Sequence, residues 1–309
     1  MNVFNYQHIT QEPVVNFSDG DPAAVLGLAM EFYIGGPGQP GRTEAMVQAI
    51  ELYLKQAAGQ FKYYYLHGDR TMRRLQSGEN IDPRLVHAMA GPDGIFEIQA
   101  GVEEDKAHFW SLLGHTKKVQ RQNYLGELLI TYPFSILDQI GLDGFIQQFV
   151  SMCNAMEVEH AYAGPSFIEP FNVGGMNASH SVIGSQLFNY PCFNAYNLST
   201  TCNEFGDGTK SIAFLTAVSN RILEKAGGAQ SVLANAGPTT LSCPYSNGVI
   251  FQAGSVPQIG SPSFIPQEYI NLGRALKPTR AEINDSLFDD PAGIDDDGFT
   301  QRWLSRFDE

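Results

Sequence analysis

Seven histidines (His8, His67, His87, His108, His115, His160, His180) and a few acidic clusters are the residues of this 309-residue chain best suited to chemistry. No two of the histidines fall in an H-x-x-x-H or H-E-x-x-H spacing, so successive turns of one helix cannot present two imidazoles to zinc. Glu157, Glu159 and His160 sit together and could act as acid and base or hold a metal. The simpler reading of that cluster is a solvated helix end. The four cysteines (Cys153, Cys192, Cys202, Cys243) form no C-x-x-C pair. Neither a local zinc site nor a disulfide framework is therefore expected. Gly164, Pro165 and Ser166 lack the second glycine of a nucleophile elbow. Asp295, Asp296, Asp297 and Gly298 mimic an EF-hand loop, but aligning Gly298 to the loop glycine puts Gly293 and Leu304 where acidic ligands are needed. No catalytic residue, metal or cofactor is expected.

One motif argues for an enzyme. Gly36, Gly38 and Gly41 satisfy G-x-G-x-x-G between a strand-like run and a helix, the placement of a dinucleotide site. Such a loop works by aiming backbone N–H groups at a pyrophosphate, and Pro37 and Pro40 remove two of them. The acidic side chain expected about 20 residues further on is replaced by Lys55, Gln56 and Ala57. A surface loop between strand and helix is the better reading, and a nucleotide-binding enzyme using residues 36–41 is the alternative.

Charge is more informative than motifs. Residues 122–209 hold eight carboxylates (Glu127, Asp138, Asp143, Glu157, Glu159, Glu169, Glu204, Asp207) and no lysine or arginine. Nine more acids face three arginines over 279–309, within a formal net charge of −14. A folded surface of one sign attracts basic proteins and repels polyanions. The expected partner has a positive face, and nucleic acid and anionic membrane are disfavoured. Solubility alone is the plain alternative. Charged residues make up only 17% of the chain and hydrophobic ones 43%, so the chain can bury a core without staples. No run approaches 18 apolar residues and the amino terminus lacks an export pattern, so a cytoplasmic protein is expected.

The elements follow from periodicity. Residues 23–34, 61–66, 126–134, 160–167 and 248–254 read as strands; 43–58, 142–157, 210–226, 267–276 and 299–307 read as helices. A further helix is expected over 105–113, and loops over 169–185 and 255–266. Each half offers strand–helix–strand. The expected fold is mixed α+β, with two related halves (1–121 and 122–309) packed as one compact body of sheets flanked by helices.

The second half resembles a known family. Its elements are AYAGPSF (161–167), YPCFNAYNL (190–198), IAFLTAVSNRILEKAGG (212–228), GVIFQAGSVPQIGS (248–261), YINLGRALKPTR (269–280) and FTQRWLSRFD (299–308). Their order resembles that of the bacterial type VI secretion immunity family typified by TsiV, although Cys192 stands where the family often has glycine. Arg274, Lys277, Trp303, Arg306 and Asp308 match recurrent family positions and are read as structural.

The resemblance implies a non-enzymatic role: binding a cognate toxic effector, here expected to be a cytoplasm-acting nuclease with a basic surface. An adaptor of the secretion machinery is a further alternative. Candidate contacts are Asp289, Asp290, Asp295, Asp296 and Asp297, with Glu169, Asn172 and Asn177 from the 169–185 segment.

Overall fold

A computed structural model describes residues 5–7, 9, 14–35, 43–82, 84–86, 97–115 and 125–308. Its centre is β2 (Pro22–Ile34), a 13-residue strand buried along almost its whole length. Strands β1 (Val15–Asn16), β3 (Tyr63–Leu66), β4 (Arg73–Arg74), β5 (Glu97–Gly101), β6 (Ser111–His115) and β7 (Gly126–Tyr132) precede the midpoint. Strands β8 (His160–Ile168), β9 (Leu215–Ser219), β10 (Thr240–Tyr245) and β11 (Gly248–Ala253) follow it. All join one sheet in the order β10-β11-β9-β8-β2-β7-β6-β5-β3-β4, with β1 on β2. Every strand pair is antiparallel. The mixed α+β expectation holds, and β2 lies between β7 and β8, so the two halves of the chain interleave.

Side chains alternate between sheet faces. Leu28, Met30, Phe32 and Ile34 of β2 join the main core, while Ala29 and Tyr33 join a second cluster on the opposite face. On the main-core face lie α1 (Thr43–Gln56) and α2 (Ile136–Met156). Met46, Val47, Ile50 and Tyr53 of α1 follow helical spacing and are fully buried. Phe149 of α2 meets Phe32 with ring centroids 5.4 Å apart. Each such side chain contributes about 1.5–3 kcal/mol of burial.

The other face is covered by α3 (Val173–Leu187), α4 (Leu198–Glu204) and the segment between them. This corrects the loop expected over 169–185. Its many glycines and serines hide the helix, but Met176, Ser179, His180, Ile183 and Leu187 all turn one buried stripe inward. Asn172 caps it, its Oδ1 accepting from Gly175 N at 2.5 Å.

The helix expected over 210–226 is also corrected. Residues Leu215–Ser219 form β9, held between β8 and β11. Only α5 (Asn220–Leu223) and a 3-10 turn (Glu224–Ala226) are helical there. Burial of β9 on both faces removes the alternation that marks a strand. The helix expected over 105–113 gives way to β6, whose pairing with β5 and β7 overrides local pattern. Further on, α6 (Ala229–Ala236), α7 (Gln267–Leu276) and α8 (Asp296–Leu304) complete the fold. No helix among the described residues is long and apolar enough to cross a membrane.

Candidate functional site

On the face away from α1 and α2, ionisable side chains stand in register across the central strands. His115 of β6 is opposite Glu127 of β7, Glu127 is opposite Tyr33 of β2, and Tyr33 is opposite His160 of β8. In the neighbouring row Glu31 lies between Leu129 and Tyr162. The result is a polar seam inside the protein, closed over by residues of the 194–213 stretch.

Every buried carboxylate of the seam has a distinct partner. Glu31 Oε2 accepts from Asn194 Nδ2 at 2.9 Å and from Lys210 Nζ at 2.5 Å, while Tyr33 Oη donates to Oε1. Lys210 also donates to the Ala195 carbonyl at 3.0 Å and lies 4.9 Å from the Tyr162 ring centre. Burial draws the Lys210 pKa below its ordinary value, against the pull of Glu31. Glu127 accepts from the Cys202 thiol at 2.5 Å and lies 3.5 Å from His115 Nε2. Burial raises both the Glu127 carboxyl and the Cys202 thiol above their usual ranges. A thiol held protonated is a poor nucleophile.

The Glu157, Glu159, His160 cluster does not act as a unit. Glu157 ends α2 in a left-handed conformation, at φ 48°. Glu159 is buried and accepts from Ser219 Oγ at 2.9 Å and Arg221 Nη2 at 3.0 Å. His160 is fully buried, so its pKa is pushed down to about 3 and the ring is neutral. Its Nε2 lies 3.1 Å from the Phe205 carbonyl and its ring stacks on Tyr33 at 4.6 Å. A solvated helix end describes only Glu157.

Glu169 is likewise fully buried, which corrects its expected place on a partner surface. Its Oε2 lies 3.2 Å from His180 Nε2, and Ser179 Oγ donates to it. Burial opposes protonation of His180, but the charge and hydrogen bond of Glu169, the Tyr196 carbonyl and the charge of Asp289 together outweigh it, and the pKa rises. Asn172 is partly buried and holds Asp105 Oδ1 at 2.8 Å besides capping α3; Asn177 is exposed.

The acid-bearing segment rests on this layer. Asn197 Nδ2 donates to the Leu287 carbonyl at 2.9 Å and lies 3.2 Å from His180 Nδ1. Gly184 of α3 permits the approach, since a Cβ there would stand 2.7 Å from the Asp289 carbonyl oxygen. Asp289, Asp295, Asp296 and Asp297 are exposed, and Asp290 is partly so. Several of these carboxylates organise the loop: Asp295 caps α8 through Gly298 N at 2.9 Å, Asp296 accepts from Asp290 N at 2.6 Å, and Asp297 accepts from Ser286 Oγ at 2.5 Å. They nonetheless leave one acidic face open to solvent.

The five positions read as structural converge at the carboxyl end. Asp308 is bound by Arg280 at 2.8 and 3.0 Å and by Lys277 at 3.1 Å, and its carbonyl accepts from Arg274 Nε at 3.2 Å. Arg306 lies 3.5 Å from the Trp303 ring centre and donates to the Pro191 carbonyl at 2.7 Å.

Tertiary pairing also tempers the acidic run over 122–209. Glu127, Glu159 and Glu169 are buried, and Asp207 is met by Arg221 and Lys225, each at 3.0 Å. The glycine motif at 36–41 lies outside the described residues. Sequence reasoning missed Glu31, Lys210 and the meeting of His115, Glu127 and Cys202; a lone glutamate inside the apolar run 23–34 was the visible signal.

Residues 45–307 match a family described as "TsiV: Type VI immunity for VRR-NUC". The chain belongs to the TsiV family. Among solved structures, Pseudomonas aeruginosa T6SS protein PA0821 superposes with a TM-score of 0.78 at 20% identity, covering 94% of this chain and 85% of that one. At that identity the likeness to PA0821 shows a shared fold. No curated protein matches the sequence. As a TsiV member, the chain is a type VI immunity protein whose partner is a toxic effector. The carboxyl-terminal clamp on Asp308 and the polar seam both fall within the matched span, apart from Glu31, Tyr33 and Asp308 itself.

Proposed function

We propose that this TsiV protein neutralises a VRR-NUC-type nuclease effector in the cytoplasm by occluding a basic surface, without turnover of its own. The observation that carries the reading is the family match over 45–307, whose description names VRR-NUC. Nucleases bind a polyanion, so their substrate grooves carry positive potential. The exposed acids of the 289–297 segment, packed on α3 at Gly184, supply a complementary face, with Asn172 and Asn177 toward the other end of that helix. Complementary charge accelerates encounter and sets partner choice more than it sets affinity. The buried thiol and the carboxylates occupied by internal partners fit a body that binds through its surface. The same acidity disfavours nucleic acid as a direct ligand.

Co-expression tests this. The effector encoded beside this chain is expected to kill cells when expressed alone in the cytoplasm and to be tolerated with this protein. The two are expected to co-purify, and the effector's cleavage of DNA in vitro is expected to stop at equimolar inhibitor. Protection without complex formation, or co-purification with sheath or spike components instead, would favour an adaptor.

A further inference from the structure

Among the buried carboxylates, Glu127 and Glu169 each face a histidine, and Glu127 also meets a thiol. Glu31 faces Lys210 and Glu159 faces Arg221, whereas Glu169 faces His180. Among the described residues, no lysine or arginine lies within ion-pair distance of Glu127. Its neighbours are instead an imidazole and a thiol, both of which are transition-metal ligands. Its side chain is only 4% exposed, so solvent does little to offset its charge.

The three groups come from separate elements. His115 and Glu127 are cross-strand partners at the ends of β6 and β7, and Cys202 descends from α4 above them. One donor atom from each lies within 4.8 Å of the other two. A tetrahedral zinc with bonds of about 2.0–2.3 Å holds its donors roughly 3.3–3.8 Å apart. His115 Nε2 and Glu127 Oε1, at 3.5 Å, already have that spacing. The Cys202 to Glu127 contact of 2.5 Å must open by about an ångström as a cation replaces the thiol proton between them.

From this geometry we propose that His115, Glu127 and Cys202 bind one divalent transition-metal ion, with zinc as the best fit. The mixed nitrogen, oxygen and sulfur set excludes magnesium and calcium, which take oxygen ligands, and suits a borderline-soft ion. The His115 side chain is 22% exposed, so the site opens to solvent on that side and a water fills the fourth position. The bound ion places a positive charge directly beside Glu127. It also pins α4, part of the segment that closes the seam, to the middle of the sheet.

The test uses the full chain, purified without an affinity tag, stripped of metal and titrated with cobalt(II) and then zinc(II). Expected is about one equivalent bound, with a thiolate-to-cobalt charge-transfer band that zinc displaces. Cys202→Ser abolishes the band, and His115→Gln weakens zinc binding by at least about a hundredfold. Cys243→Ser removes the exposed thiol and leaves both readouts unchanged. Circular dichroism in metal-free buffer establishes that each variant folds; should Cys202→Ser fail, the partly exposed His115→Gln decides. A wild-type protein without the band, a band lost only in Cys243→Ser, or zinc affinity indifferent to His115→Gln overturns the proposal.

Discussion

Lys210 Nζ stands 2.5 Å from Glu31 Oε2, with the lysine side chain 4% exposed and the glutamate fully sealed. The pair joins the central strand to the residue that directly ends the 88-residue stretch lacking lysine and arginine. The first cation after the acidic run is thus paired with an acid outside that run. Two acids of the run itself, buried Glu159 and exposed Asp207, are met by Arg221 and Lys225.

Removing one member of this pair is costly. Lys210→Met leaves Glu31 buried without a cation and lowers stability by about 3–5 kcal/mol. Glu31→Gln combined with Lys210→Met recovers most of that loss, because both charges leave together. Urea unfolding midpoints at unchanged slope measure it. A Lys210→Met loss under about 1 kcal/mol would mean that other groups carry the compensation.

The carboxyl-terminal clamp makes stability acid-sensitive. Burial opposes ionisation of Asp308, yet the hydrogen bonds and charges of Arg280 and Lys277 outweigh it and hold the carboxyl below its usual range. Its contribution is full above the unfolded value of about 3.9 and is lost as pH falls through the lower folded value. Asp308→Asn should cost about 1.5–3 kcal/mol at neutral pH. It should also flatten the acid limb of the stability curve, and equal acid sensitivity in variant and wild type would assign that limb elsewhere.

His180 works in the opposite sense. Its pKa is raised, so the stabilisation it provides is full below the unfolded value of about 6.5 and fades as pH rises through the folded value. The groups facing it are Glu169, the Tyr196 carbonyl, Asn197, the Phe288 ring and the charge of Asp289. His180→Gln should therefore destabilise more at pH about 6 than at pH about 9. Thermal midpoints of both proteins across that range decide it, and a pH-independent difference would leave His180 with packing alone.

Charge reversal separates the acidic face from its scaffold. Asp295 is best left intact because its carboxylate caps α8. Asp296→Lys with Asp297→Lys should slow association with the effector roughly tenfold at low salt and flatten the salt dependence. Melting temperature serves as the control, since each residue also holds one hydrogen bond of the loop. Unchanged association kinetics in a folded variant would remove this segment from the interface.

Several elements were legible in the sequence because their burial is one-sided. Thr43–Gln56 and Gln267–Leu276 show an apolar stripe against polar residues, which local spacing records. Val173–Leu187 mixes Ser179 and His180 with Met176, Ile183 and Leu187 in its buried stripe, and its glycines and serines dilute the pattern further, so its amphipathic signal is weak. Leu215–Ser219 is buried on both faces and flanked by apolar residues, and helix and strand then look alike. The recurrent terminal positions were read as structural from the family resemblance. That Asp308 gathers Arg274, Lys277 and Arg280 needed the folded chain.

The sequence by itself determined the class of fold, the order of most elements, the acidic balance and, through motif order, the immunity family. These depend on local spacing and composition, which a linear chain states directly. Tertiary structure alone decided which carboxylates are outside and which are internal, and it brought His115, Glu127 and Cys202 together. The reason is physical: charge compensation and metal-ligand geometry act over a few ångströms in space, and the packing of segments against the sheet sets those distances between residues up to 179 positions apart.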